Sequence, residues 1–113
     1  ASYSGKFKII RNLPATLEIL KLSYTGIQTV DIAHLVNLQE LYCNAIKCKT
    51  FDYMTLLANL PNGLRTFNTS GYKFQQIPKL PPSLIMFICK RCGFSLKDLM
   101  EALPGILLVN EED

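Results

Sequence analysis

The dipeptide Leu-Pro recurs at Leu13-Pro14, Leu60-Pro61, Leu80-Pro81 and Leu103-Pro104, and this repetition constrains the fold more than any other feature. An apolar residue follows three places after each proline, or two in the last case. Proline has a fixed φ and no N–H, so it suits the turn before a strand rather than the strand itself. The segments that follow can be written one under another. Leu17 opens LEILKLSYTGI, Leu38 opens LQELYCNAIKC, Leu64 opens LRTFNTSGYKF, Leu84 opens LIMFICKRCGF, and Ile106 opens a truncated ILLVNEED. In the four full copies, positions 1, 4, 6, 9 and 11 are apolar or small. Positions 4 and 6 alternate as a half-buried strand requires. One such unit cannot bury its own apolar edge, whereas stacked units share a core.

The pattern resembles the leucine-rich repeat, L-x-x-L-x-L-x-x-N-x-L, whose period is ~20–29 residues. The starting residues 17, 38, 64, 84 and 106 differ by 21, 26, 20 and 22. The Leu-Pro lead-in is similar to the short, proline-marked subclass found in bacterial effector ligases. The resemblance spans about residues 13 to 110. It implies an α/β solenoid with a parallel concave sheet of about five strands, and short helices and irregular turns on the convex side. It further implies a protein-interaction module, an adaptor or inhibitor of pathogen origin, that binds through the concave face. Position 9 departs from the family, with Thr25, Ile46, Tyr72 and Cys92 in place of Asn, so irregular loops are expected after the second and third strands.

The intervening segments fit short elements. Tyr53, Leu56, Leu57 and Leu60 have helical spacing, as do Leu96, Leu99, Met100 and Leu103. Ser95 stands where it can cap the second helix, with Asp98 three residues on. The stretch QQIPKL, 75–80, is too short and Pro-broken for a helix and reads as extended or 3₁₀. Residues 1–12 fall before the first unit, and KFKII (6–10) alternates enough to form a capping strand. The whole of 1–113 therefore reads as a single domain. After Val109 the last strand is an edge, protected by Glu111, Glu112 and Asp113, since charge on an edge discourages pairing. Hydrophobic residues make up 49% and charged residues 19%, which is globular composition. No apolar run approaches ~20 residues, and no h-region stands at the N-terminus, so neither a membrane span nor a signal peptide is expected.

Four cysteines fall on the inward ladder: Cys43 and Cys89 at position 6, Cys92 at position 9 and Cys48 at position 11. A zinc site would need all four thiolates within ~4 Å of one another. Units two and four should lie ~9–10 Å apart, given ~4.8 Å between strands. The same distance forbids a Cys43–Cys89 disulfide. Cys89-x-x-Cys92 lacks the βαβ context of a redox motif. All four are expected to be buried structural thiols, with no metal and no cofactor. Four reduced thiols favour a reducing compartment, cytoplasmic or nuclear. The sequon at Asn68 falls mid-sheet and reads as chance.

The single histidine, His34, has no accessible nucleophile to serve, and no nucleotide-binding or hydrolase motif is present, so no enzyme is expected. The resemblance directs positions 3, 5, 7 and 8 outward, onto the concave face. Solvent-facing strand positions are ordinarily polar, yet Ile19, Tyr24, Tyr42, Met86, Ile88 and Leu108 are not. Together with Lys21, Glu40, Asn44, Asn68, Lys90 and Arg91 they form the expected partner-binding surface. The partner class is a protein. A homodimer through the open C-terminal edge or the same face is the first rival. A ribonucleoprotein adaptor using Lys21, Lys90 and Arg91 is the second, although a net charge of +3 with scattered basic residues disfavours nucleic acid.

Overall fold

In the computed structural model of the protein, the described residues are 2–5, 9–25, 27–43, 51–69 and 72–109, with only the backbone considered for 2–5 and 23–25. Among these described residues eight strands and two helices follow in the order β1 (Ser2–Gly5), β2 (Ile9–Ile10), β3 (Ile19–Thr25), β4 (Thr29–Val30), β5 (Glu40–Tyr42), α1 (Tyr53–Ala58), β6 (Thr66–Asn68), β7 (Met86–Ile88), α2 (Leu96–Ala102) and β8 (Leu107–Val109). Six strands make one parallel sheet in the order β1-β3-β5-β6-β7-β8, and β2 pairs with β4 in a second, two-stranded sheet.

The turns explain the spacing. Leu17, Leu64 and Leu84 each donate a backbone N–H to the carbonyl of the proline three residues earlier, at 3.1 Å. Leu38 makes the same turn to Leu35 without a proline. Each turn delivers the chain into a strand in register with its neighbour: Ile19, Glu40, Thr66 and Met86 stand side by side, as do Lys21, Tyr42, Asn68 and Ile88. Between these rows, Leu20, Leu41, Phe67 and Phe87 point inward and are fully buried. The Phe67 and Phe87 rings stack at 5.9 Å across adjacent strands. Alternation of the strand therefore builds one face of the core, and Leu17, Leu38, Leu64 and Leu84 extend it.

Both helices close the other side of the core. Asp52 caps α1 and Ser95 caps α2, each accepting from the backbone N–H three residues on. Helix α1 buries Tyr53 and Leu56, and α2 buries Leu99. At six and seven residues they are too short to persist in water, so packing holds them.

Several expectations are corrected. The leucine-rich-repeat horseshoe is replaced by one compact α/β domain on a continuous parallel sheet, with two short helices among the described residues. The radius of gyration, 13.3 Å, is what a compact globule of this length gives, about 13 Å. The main sheet has six strands rather than five, because β1 adds at its N-terminal edge. The N-terminal strand lies at Ser2–Gly5, with a separate pair, Ile9–Ile10 against Thr29–Val30; residues 6–8 of KFKII fall outside the described residues. The last strand arrives one residue early. Met86 pairs with Leu107 and Ile88 with Val109, so Leu108 packs inward where it was expected outward. Gly105, at φ +81°, makes the shorter turn through a left-handed conformation that costs glycine little. The loops expected to be irregular, 44–50 and 70–71, lie outside the described residues. Among the described residues no helix is long and apolar enough to cross a membrane.

Candidate functional site

The outward rows of the sheet hold most of the residues expected to bind a partner. Ile19, Lys21, Glu40, Tyr42, Asn68, Met86 and Ile88 share that face through the register. Their polar groups engage each other. The Tyr42 hydroxyl donates to Glu40 Oε1 at 2.5 Å, and the Lys21 ammonium lies 5.4 Å from the centre of the Tyr42 ring. The Glu40 carboxylate, aided by desolvation, pushes the Tyr42 hydroxyl up to about 12. Lys90 and Arg91 lie in the turn after β7, with Arg91 at φ +59°, so the chain has left the strand before their side chains emerge. The Tyr24 side chain and Asn44 lie outside the described residues. Without a horseshoe there is no concave cradle, and the assignment of these residues to concave-face partner binding is withdrawn.

Cys43, Cys89 and Cys92 are buried and form no disulfide; Cys48 lies outside the described residues. Burial pushes the Cys43 thiol far up. The Cys92 thiol beside Cys89, then burial, raises Cys89. Cys92 donates to the Cys89 carbonyl at 2.9 Å. Strand β6 separates Cys43 from Cys89, and no group of three metal-ligating side chains gathers among the described residues. His34 contacts the Leu13 carbonyl through Nε2 at 2.6 Å and faces Asp31 at 3.9 Å through Nδ1. It ties one turn to the one before it.

The surface with unspent capacity is the C-terminal edge. Strand β8 is the last in the sheet and pairs on one side only among the described residues. Leu107 donates to the Ile85 carbonyl at 2.9 Å, and Val109 accepts from Cys89 at 2.9 Å. By the alternation of a parallel ladder, the N–H and C=O of Leu108 face away from β7, into the open edge. Leu107 beside them is 58% exposed. Helix α2 packs against β8 and presents Leu96 and Met100, one turn apart and 42% and 59% exposed. Leu107 escaped the sequence reading because the final register was set one residue late. The i, i+4 pair Leu96 and Met100 was legible as part of a helical spacing shared with Leu99 and Leu103, but the spacing does not say that Leu99 is buried while Leu96 and Met100 stay exposed.

No family model, no curated protein and no solved structure matches this chain. The resemblance to leucine-rich repeats therefore rests on the apolar spacing alone, and the chain is not assigned to that family.

Proposed function

We propose that the protein is a non-catalytic binding domain whose partner is a protein that adds an extended strand to β8. The observation that carries this reading is the open side of β8, where Leu108 offers one N–H and one C=O beside the exposed Leu107 side chain. Strand addition takes its affinity from main-chain hydrogen bonds and its selectivity from side-chain contacts alongside. Leu96 and Met100 on α2 supply apolar contacts. A second copy of the chain offers the same edge, so the partner class includes self-association. Nucleic acid is disfavoured, because the net charge is only +3 and the basic residues are scattered along the sequence. Buried thiols that form no disulfide favour a reducing, intracellular compartment.

The test is capture from lysate by wild type and by the folded variant Leu107→Lys/Met100→Glu, joined to amide exchange on the complex. Binding that protects the Leu108 amide and is lost in the variant supports the reading. Equal retention by both proteins refutes it. Sedimentation across a range of concentrations separates a second copy from a foreign partner.

A further inference from the structure

A groove of about 740 Å³ runs between α1 and the segment 72–79. Its walls include Met54, Leu57, Tyr72, Phe74 and Ile77, and Lys79 stands at its rim. The aromatic wall is held in place from beneath. Tyr53, buried on α1, stacks on Tyr72 with centroids 3.8 Å apart, and Tyr72 meets Phe74 edge to face at 4.7 Å. Phe74 is anchored in turn by its backbone N–H, which donates to the Cys92 carbonyl at 3.3 Å. The rings are thus positioned before any ligand arrives, which lowers the ordering cost of binding.

The lining chemistry selects a ligand class. Among the described residues that line the groove, Lys79 is the only charged one and none carries a carboxylate. Gln75 and Gln76 add amide donors at the bend beside it. An apolar, ring-lined floor with one cation and amide donors at one end suits a flat apolar body carrying an anionic head. Size argues for a small molecule. Small-molecule sites occupy roughly 300–1,000 Å³. The six residues of α1 give a wall only about 9 Å long, the length of a fused two-ring system and too short for an extended peptide. We propose that this groove is a binding site for a small aromatic carboxylate, independent of the β8 edge.

The probe is 2-naphthoate, followed by methyl and ring NMR and by calorimetry, with neutral 2-naphthylmethanol as its partner. Saturable binding should move the Met54 methyl and the Tyr72 and Phe74 rings. The alcohol should bind about fivefold more weakly, the scale of an exposed ion pair. Lys79→Gln should bring naphthoate down to the level of the alcohol and leave the alcohol unchanged. Ala58→Phe, which adds a ring to the exposed groove wall on α1, should abolish both while the urea midpoint holds. Shifts scattered over the surface, or equal binding of both probes in wild type and Lys79→Gln, would overturn the site. Tighter binding by the acidic tripeptide Asp-Phe-Asp than by naphthoate would overturn the small-molecule assignment in favour of a peptide.

Discussion

The ring of Tyr53 lies on that of Tyr72, centroids 3.8 Å apart and planes 25° from parallel. The contact ties the first turn of α1 to the chain that leaves β6. The Tyr53 hydroxyl donates to the Cys43 carbonyl at 3.3 Å, so the same side chain also holds the exit of β5. Tyr53→Phe keeps the rings and loses that bond, at an expected cost of about 1 kcal/mol. Tyr53→Ala loses both, at about 3–5 kcal/mol. Urea midpoints at unchanged slope measure the two costs. Equal costs would mean that the ring packing contributes nothing.

Thr69 follows β6 and is fully buried, and its hydroxyl has no hydrogen-bond partner among the described residues. It stands between Cys43 and Cys89, whose backbones flank it in the ladder. A buried hydroxyl without a partner forfeits its hydration for nothing in return. Thr69→Val keeps the shape and removes the hydroxyl, so it should stabilise by about 1 kcal/mol. Thr69→Ser keeps the hydroxyl and loses a methyl, so it should destabilise by about 0.8 kcal/mol. Opposite signs in thermal or urea unfolding test the pair, and a destabilised Thr69→Val would show that the hydroxyl is satisfied.

The strands at Thr66 and Met86 were legible because a proline-marked turn and period-two alternation each fix a local conformation, and the strand at Glu40 was legible from its alternation and repeat spacing alone. The Ser95 cap was legible because it depends on four consecutive residues. The family was not legible, and the reason is physical. Alternating apolar positions recurring every 20 to 26 residues are what any parallel sheet with compact crossovers requires, so the spacing constrains the strands and leaves the overall shape open. The register of β8 was missed because it depends on the left-handed Gly105, and composition cannot distinguish that conformation from a longer turn. The β2–β4 pair escaped because two-residue strands carry no period. The Tyr72–Phe74 groove wall escaped because it forms only where α1 meets a segment about twenty residues later.

Cys43, Cys89 and Cys92 should be inert in the folded state, because all three are buried from reagent and the thiolate, the reactive form, is disfavoured at Cys43 by burial and at Cys89 by the neighbouring Cys92 thiol and by burial. In a Cys48→Ser background, a disulfide reagent at pH 8 should find no rapidly reacting thiol in native protein and all three after denaturation. Labelling rates should rise with urea in step with unfolding. Rapid labelling of one residue without denaturant would place that thiol in a locally opening segment.

The two helix caps predict different responses to acid. Asp52 accepts from the Thr55 hydroxyl at 2.5 Å and from the Thr55 N–H at 3.0 Å. These bonds, the hydroxyl foremost, hold its carboxyl below the ordinary 3.8. A depressed folded-state pKa means that the unfolded chain takes up its proton first as pH falls. The stabilisation is therefore complete above pH 3.8 and is lost as pH falls through the folded value. Asp52→Asn keeps an acceptor oxygen without the charge, so its deficit relative to wild type should shrink below that pH. Ser95 caps α2 through a hydroxyl that accepts from the Asp98 N–H at 3.2 Å and does not titrate. Ser95→Ala should cost about 1 kcal/mol, and that offset should stay constant across the same range. Urea midpoints of the three proteins from neutral pH down to pH 2 decide the matter. An Asp52→Asn deficit that does not change with pH would show that the carboxylate charge contributes nothing to the cap.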